Sequence, residues 1–191
     1  MSSLLDRYKA LHDGEGFYYF KGVLEPASPR LWDGSCFARK LFRLFNKVVS
    51  KRDNFRVLDY GCGKAEYMSY IHKAYAGRIQ EWYCYDPGYN RYSTPPSGEF
   101  DYIICADLME HVEDYEETLA KMETHLSKKG IAIFGIAGHP DSIEFDDGLN
   151  MHVTLKSAVE WQQLLKKHFG NKKVILVYNN TNYWESWHAT L

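Results

Sequence analysis

No Cys-x-x-Cys pair occurs in the 191 residues, and the four cysteines (Cys36, Cys62, Cys84, Cys105) are scattered. That spacing offers no structural zinc motif. Three of the four fall in or beside strand-like apolar segments, so they read as buried, reduced thiols of a cytosolic chain. Long apolar runs are missing too. The longest, such as 131–137, are of strand length, far below the ~20 residues of a membrane span. The N-terminus lacks the charged-then-apolar layout of a signal peptide, and a cytoplasmic location is expected. Neither sign of charge dominates: 23 basic side chains stand against 25 acidic ones, a net charge of −2. This excludes the broad basic face of a general polyanion binder. There is no Gly-x-Ser-x-Gly elbow for hydrolase chemistry. No His-x-x-x-His pair offers helical metal-ligand spacing, so no metal site is expected.

What is present is a globular composition of one-domain length, with 45% hydrophobic residues, long enough to bury a core without disulfides. The first 52 residues form an aromatic, glycine-punctuated region: a short helix near Leu4–His12, then a loop, then a helix over about 36–50. Arg39, Arg43, Lys47 and Lys51 make a stripe at four-residue spacing on that helix. A solvated helix face is the simpler reading, and a phosphate or nucleic-acid contact the alternative. From 53 onward the chain alternates. Strands are expected at 56–60, 81–86, 100–106 and 131–136, with helices at 65–75 and 113–126. Ser157-Ala158-Val159-Glu160 is a capping box that opens another helix, stopped by Gly170. Two final strands, about 174–178 and 184–190, follow without a helix between them. Strands alternating with helices predict a mostly parallel sheet covered on both faces. The expected fold is therefore α/β, a Rossmann-like three-layer sandwich with an antiparallel C-terminal edge hairpin. It forms one domain over 1–191, made of an N-terminal lid and helix region (1–52) and a core (53–191).

The chemistry concentrates where the strand Val57-Leu58-Asp59-Tyr60 runs into Gly61-Cys62-Gly63 and then a helix. Glycines let backbone approach a ligand closely, and a helix N-terminus offers free N–H groups. Asp86 ends the next strand, where an acid that binds ribose hydroxyls is expected. No Gly-x-x-Gly continues the turn, which disfavours a dinucleotide pyrophosphate.

These residues resemble the first two motifs of class I S-adenosylmethionine-dependent methyltransferases. The stretch Phe100 to Val112, with Leu108-Met109-Glu110-His111-Val112 after its strand, resembles a third segment of that family, and His125 to Ile133 a fourth. The whole chain looks like small bacterial and phage members of undefined substrate, which share the elements matched here by Tyr85-Asp86-Pro87 and Asp147-Gly148-Leu149-Asn150-Met151-His152. The resemblance implies S-adenosyl-L-methionine as cofactor. It implies Asp59 and the backbone of Gly61, Cys62 and Gly63 at the methionine end, Asp86 and Pro87 at the ribose, and Asp107 and Leu108 beside the sulfonium and the methyl acceptor. Ala65 stands where the family commonly has glycine.

Proton chemistry on an oxygen acceptor needs a base, and His111, His152 and Asp107 are the expected catalytic side chains. His139, Glu110 and Asp147 are further candidates, and His12 and Tyr18 lie in the segment expected to act as a lid. The expected acceptor is a small molecule: a sugar, a nucleotide-linked compound or another metabolite. One alternative is a non-catalytic protein that binds S-adenosylmethionine or S-adenosylhomocysteine. Another is a nucleic-acid methyltransferase using the basic stripe, although nucleic acid is not the expected partner. No membrane partner is expected, and the sequence does not set the oligomeric state.

Overall fold

A computed structural model describes residues 3–15, 17–26, 45–49, 53–65, 73–180 and, by backbone alone, 188–190. Arg39, Arg43, Lys51, Cys36, most of the helix expected over 65–75 and the beginning of the last expected strand lie outside the described residues.

Near-continuous runs of apolar, β-branched and aromatic side chains produce strands buried on both faces. β3 (Phe55–Tyr60), β4 (Ile79–Tyr85), β5 (Phe100–Ala106), β6 (Leu126–Ala137), β8 (Lys173–Asn179) and β9 (His188–Thr190) form one sheet, ordered β4-β3-β5-β6-β8-β9. All neighbours are parallel except β8 and β9, which pair antiparallel at the edge. The Rossmann-like sandwich and its antiparallel edge are thus both present.

Leu58, Ile103, Cys105, Phe134 and Leu176 point to one face of the sheet. There α2 (Tyr115–His125) contributes Leu119 and Met122, and α3 (Ala158–Phe169) contributes Trp161, Leu165 and Phe169. Val57, Tyr102, Ile104, Ile133 and Ile175 point to the other face, against Phe45 and Val49 of a helical segment at 45–49 and against Tyr75. Ser157 and Glu160 cap α3 reciprocally, as their spacing requires. β6 is longer than expected: Leu126 pairs with Phe100 before an irregularity, and regular pairing resumes at Tyr102 and Ile131.

The N-terminal region is more ordered than a helix followed by a loop. α1 (Leu4–His12) forms with a Ser3–Asp6 capping box. β1 (Phe17–Phe20) and β2 (Val23–Pro26) then make a hairpin, and β1 pairs antiparallel with β7 (Ile143–Phe145). This three-stranded sheet carries its own cluster of Leu11, Tyr18, Phe145 and Met151, with Leu4, Tyr8 and Ile143 packed against it. This cap is therefore built from the N-terminal segment and from the segment that follows β6. No helix among the described residues is long and apolar enough to cross a membrane.

Candidate active site

The chain leaves β3, crosses to β4 on one side, and returns to β5 on the other. Strand order reverses there, which opens a crevice at the carboxyl ends of the strands. A cavity of about 1160 Å³ occupies that position. Its lining includes Asp59, Gly61, Cys62, Gly63, Asp86, Pro87, Asp107 and Leu108, all eight residues expected to hold the cofactor, together with His111 and His152.

The first turn is tied to the end of β4. The Gly61 and Cys62 amides donate to the Tyr85 carbonyl at 2.7 and 3.2 Å. Gly61 has φ +80°, and a Cβ there would lie 2.6 Å from Leu108 Cδ2, so both conformation and space demand glycine. Gly63 has φ +53° and nothing nearer than 3.9 Å to a Cβ position. Ala65 adopts φ 50°, the left-handed region that its glycine counterpart would occupy without strain.

Asp86 is buried and accepts from the Gly63 amide and the Gly88 amide, each at 2.7 Å. A carboxylate has about four lone-pair sites, so this pair of bonds fixes its orientation and leaves capacity for a diol. Asp59 is buried at the base of the crevice. The Cys62 thiol is pushed far up by burial, with Cys84 beside it, so it is an inert wall rather than a nucleophile. Cys62, Cys84 and Cys105 are all free thiols.

At the other end of the cavity, β5 is followed by Asp107, whose φ is 56°. A 3-10 turn, Met109–His111, follows. Glu110 points inward: it is fully buried, and its Oε1 accepts from the Ala137 amide at 2.6 Å. Burial, with the Asp107 carboxylate as neighbour, pushes Glu110 well above the usual carboxylate range. It braces the turn after β5 against the end of β6 and is not among the residues that line the cavity.

His111 faces the cavity. Its Nδ1 is 3.0 Å from the Met151 carbonyl and 2.9 Å from the Tyr8 hydroxyl, and that hydroxyl donates to the same carbonyl at 2.8 Å. A carbonyl only accepts, so a hydrogen bond from the ring to Met151 uses the Nδ1–H, and it leaves Nε2 turned to the cavity side. His152 is held the same way, its Nδ1 lying 2.5 Å from the His139 carbonyl. Burial and the neighbouring His111 lower the His152 pKa, which favours neutral imidazole. The two rings meet edge to face with centroids 4.7 Å apart.

The Asp147 to His152 element owes its pattern to this geometry. Asp147 Oδ1 accepts from the Leu149 amide at 3.0 Å, and Gly148 takes φ +82°. Asn150 Oδ1 accepts from the Asp141 and His152 amides at 2.9 and 3.0 Å, while its Nδ2 donates to the Asp141 carbonyl at 2.9 Å. The loop is thereby folded so that His152 faces inward. Asp147 itself faces outward and pairs with Arg7 at 2.7 Å. His139 and His12 line the cavity, whereas the Tyr18 hydroxyl donates to Glu25 at 3.1 Å within the cap hairpin. Tyr8 was not singled out from the sequence. The available signal was helical spacing, since Leu4, Tyr8 and His12 share one face of α1.

A methyltransferase-domain family model matches residues 34–182. The chain belongs to that family. The family is one of methyltransferases, and the crevice brings together the residues expected to hold S-adenosylmethionine. Among solved structures, the methyltransferase-domain chain resembles YcgJ protein from Bacillus subtilis, with 19% identity, 68% of each chain covered and a TM-score of 0.50, a likeness of fold. It also aligns with phosphoethanolamine N-methyltransferase 2 from Haemonchus contortus, solved with phosphomonomethylethanolamine and S-adenosylhomocysteine. There the identity is 16%, with 86% of this chain and 40% of that chain covered and a TM-score of 0.43. A search of curated proteins found no match.

Proposed function

We propose that the protein methylates a small-molecule acceptor held between the strand ends and the cap. The observation that carries this reading is the Tyr8–His111–Met151 junction. It sets α1 against the end of the crevice at which the acceptor would bind, so that α1 and the strand ends line one cavity.

When bound, S-adenosylmethionine supplies a methyl group on a cationic sulfur. The chain's own residues divide the remaining work. Gly61, Cys62 and Gly63 bring backbone close to the methionine end, with Asp59 beneath them. Asp86 and Pro87 take the ribose end. Asp107 and Leu108 lie beside the sulfonium, where a carboxylate favours positive charge. His111 and His152 turn their Nε2 atoms to the acceptor, placed to orient a hydroxyl or amine and to receive its proton. Positioning of this kind supplies much of the rate of a bimolecular transfer.

The test is methyl-labelled S-adenosylmethionine incubated with the protein and a fractionated cell extract. Label in the low-mass fraction, lost with His111→Gln, is the expected result. Label in protein or nucleic acid alone would contradict the reading.

A further inference from the structure

Asp107, His111 and His152 come together from two chain segments at the acceptor end of the cavity. One ligand atom from each, a carboxylate oxygen or an imidazole nitrogen, lies within 4.8 Å of the other two. We propose that these three side chains bind a divalent first-row transition cation. The inference rests on the methyltransferase reading and deepens it by naming the acceptor class. It also departs from the sequence expectation of no metal, because the three residues share no motif spacing and meet only through the fold.

Three observations support it. First, two imidazoles and one carboxylate are a donor set suited to zinc, manganese, cobalt or nickel, and three protein ligands leave coordination positions open. Second, both rings are already set for ligation. Nδ1 of His111 faces the Met151 carbonyl and Nδ1 of His152 the His139 carbonyl, which leaves Nε2 of each ring for a ligand. Backbone carbonyls on the far nitrogen are the usual outer support of metal-binding histidines. Third, the Asp141 carboxylate stands 3.7 Å from His152 Nε2. It adds negative charge beside the three ligands, which favours a cation there.

Bonds of ~2.0–2.1 Å to nitrogen would require the ligand atoms to close by roughly 1 Å. Asp107 is exposed and follows the end of a strand, so its side chain has the freedom to do this. A cation held here would present its open positions to the cavity. The acceptors it favours carry two adjacent oxygen donors, such as a vicinal diol, a catechol or a hydroxy acid. A hydroxyl bound to such a cation loses its proton to solvent at lower pH than a free one. The histidines would then hold the ion rather than carry the proton.

The experiment uses tag-free, chelator-treated protein titrated with cobalt(II). Visible absorption and calorimetry follow the metal, and S-adenosylhomocysteine binding is measured on the same samples. The expected result is one cobalt per chain with ligand-field bands. Asp107→Asn, which tolerates the left-handed backbone, and His152→Gln should each weaken binding at least tenfold. Circular dichroism identifies a variant that has lost its fold, and the Asp107→Asn result then decides. Cobalt binding that folded variants leave unchanged, or no cobalt binding by protein that binds S-adenosylhomocysteine, overturns the metal site and spares the methyltransferase reading. Folded protein that binds neither overturns both.

Discussion

The six-stranded sheet and the small cap are built on different terms. The sheet buries two apolar faces under helices, and its core residues, such as Leu58, Ile103, Phe134 and Trp161, are wholly inaccessible. The cap has four buried side chains in its cluster, and its strands leave Phe17, Val23 and Leu24 about half exposed or more. Its α1 is held largely by polar contacts: within the cap Arg7 to Asp147 at 2.7 Å and Tyr8 to Met151, and toward the large sheet Tyr8 to His111. The Arg7 guanidinium also lies over the Phe145 ring at 4.0 Å. The sheet thus holds most of the buried core, and in the proposed function the cap contributes contacts to the acceptor at little cost in global stability. Elements that must open are drawn from the weakly held part of a structure.

Substitutions in the two regions should therefore separate stability from turnover. The largest stability effect belongs to the sheet. Trp161→Ala removes a fully buried side chain packed against Tyr115. It should cost about 3–5 kcal/mol in denaturant unfolding, and a loss confined to activity would break the comparison. Tyr8→Phe keeps the ring against Phe145 and deletes only the hydroxyl at the His111 junction. It should lower turnover by roughly tenfold or more while moving stability by about 1 kcal/mol. An unchanged rate would show that the cap does not complete the site.

Arg7→Ala should raise the acceptor KM several-fold and leave S-adenosylhomocysteine affinity near that of the wild type. The Arg7 pairing holds Asp147 below the usual carboxylate range. Its contribution to docking is present above the ordinary aspartate pKa and is lost only as pH falls through that lowered value, so wild type and Arg7→Ala should converge in acid. Ala65→Gly is the smallest change expected. Relief of the left-handed conformation should raise stability by about 1 kcal/mol or less, read as a small rise in Tm.

The same contrast explains what was legible in the sequence. Val57 to Gly63, Asp86 and the segment after Phe100 announced themselves because strand, turn and acid are local features, and the parallel topology follows from their alternation. The cap did not. Phe17–Phe20 is aromatic throughout, so it shows no alternation between its faces, and its partner β7 is only three residues long and more than 120 positions away. Glu110 looked like a catalytic candidate, since nothing local distinguishes a carboxyl facing a cavity from one buried under β6. Tyr8 gave no motif, because its partners His111 and Met151 lie 103 and 143 residues distant. The convergence of Asp107, His111 and His152 was hidden for the same reason.

The most direct test of the account is calorimetric titration of S-adenosylhomocysteine into wild-type protein and Asp86→Ala. The crevice predicts one-site binding by the wild type and at least tenfold weaker binding by the variant, with the variant's circular dichroism spectrum unchanged. Folded wild-type protein that gives no binding heat, or equal binding by Asp86→Ala, would contradict it.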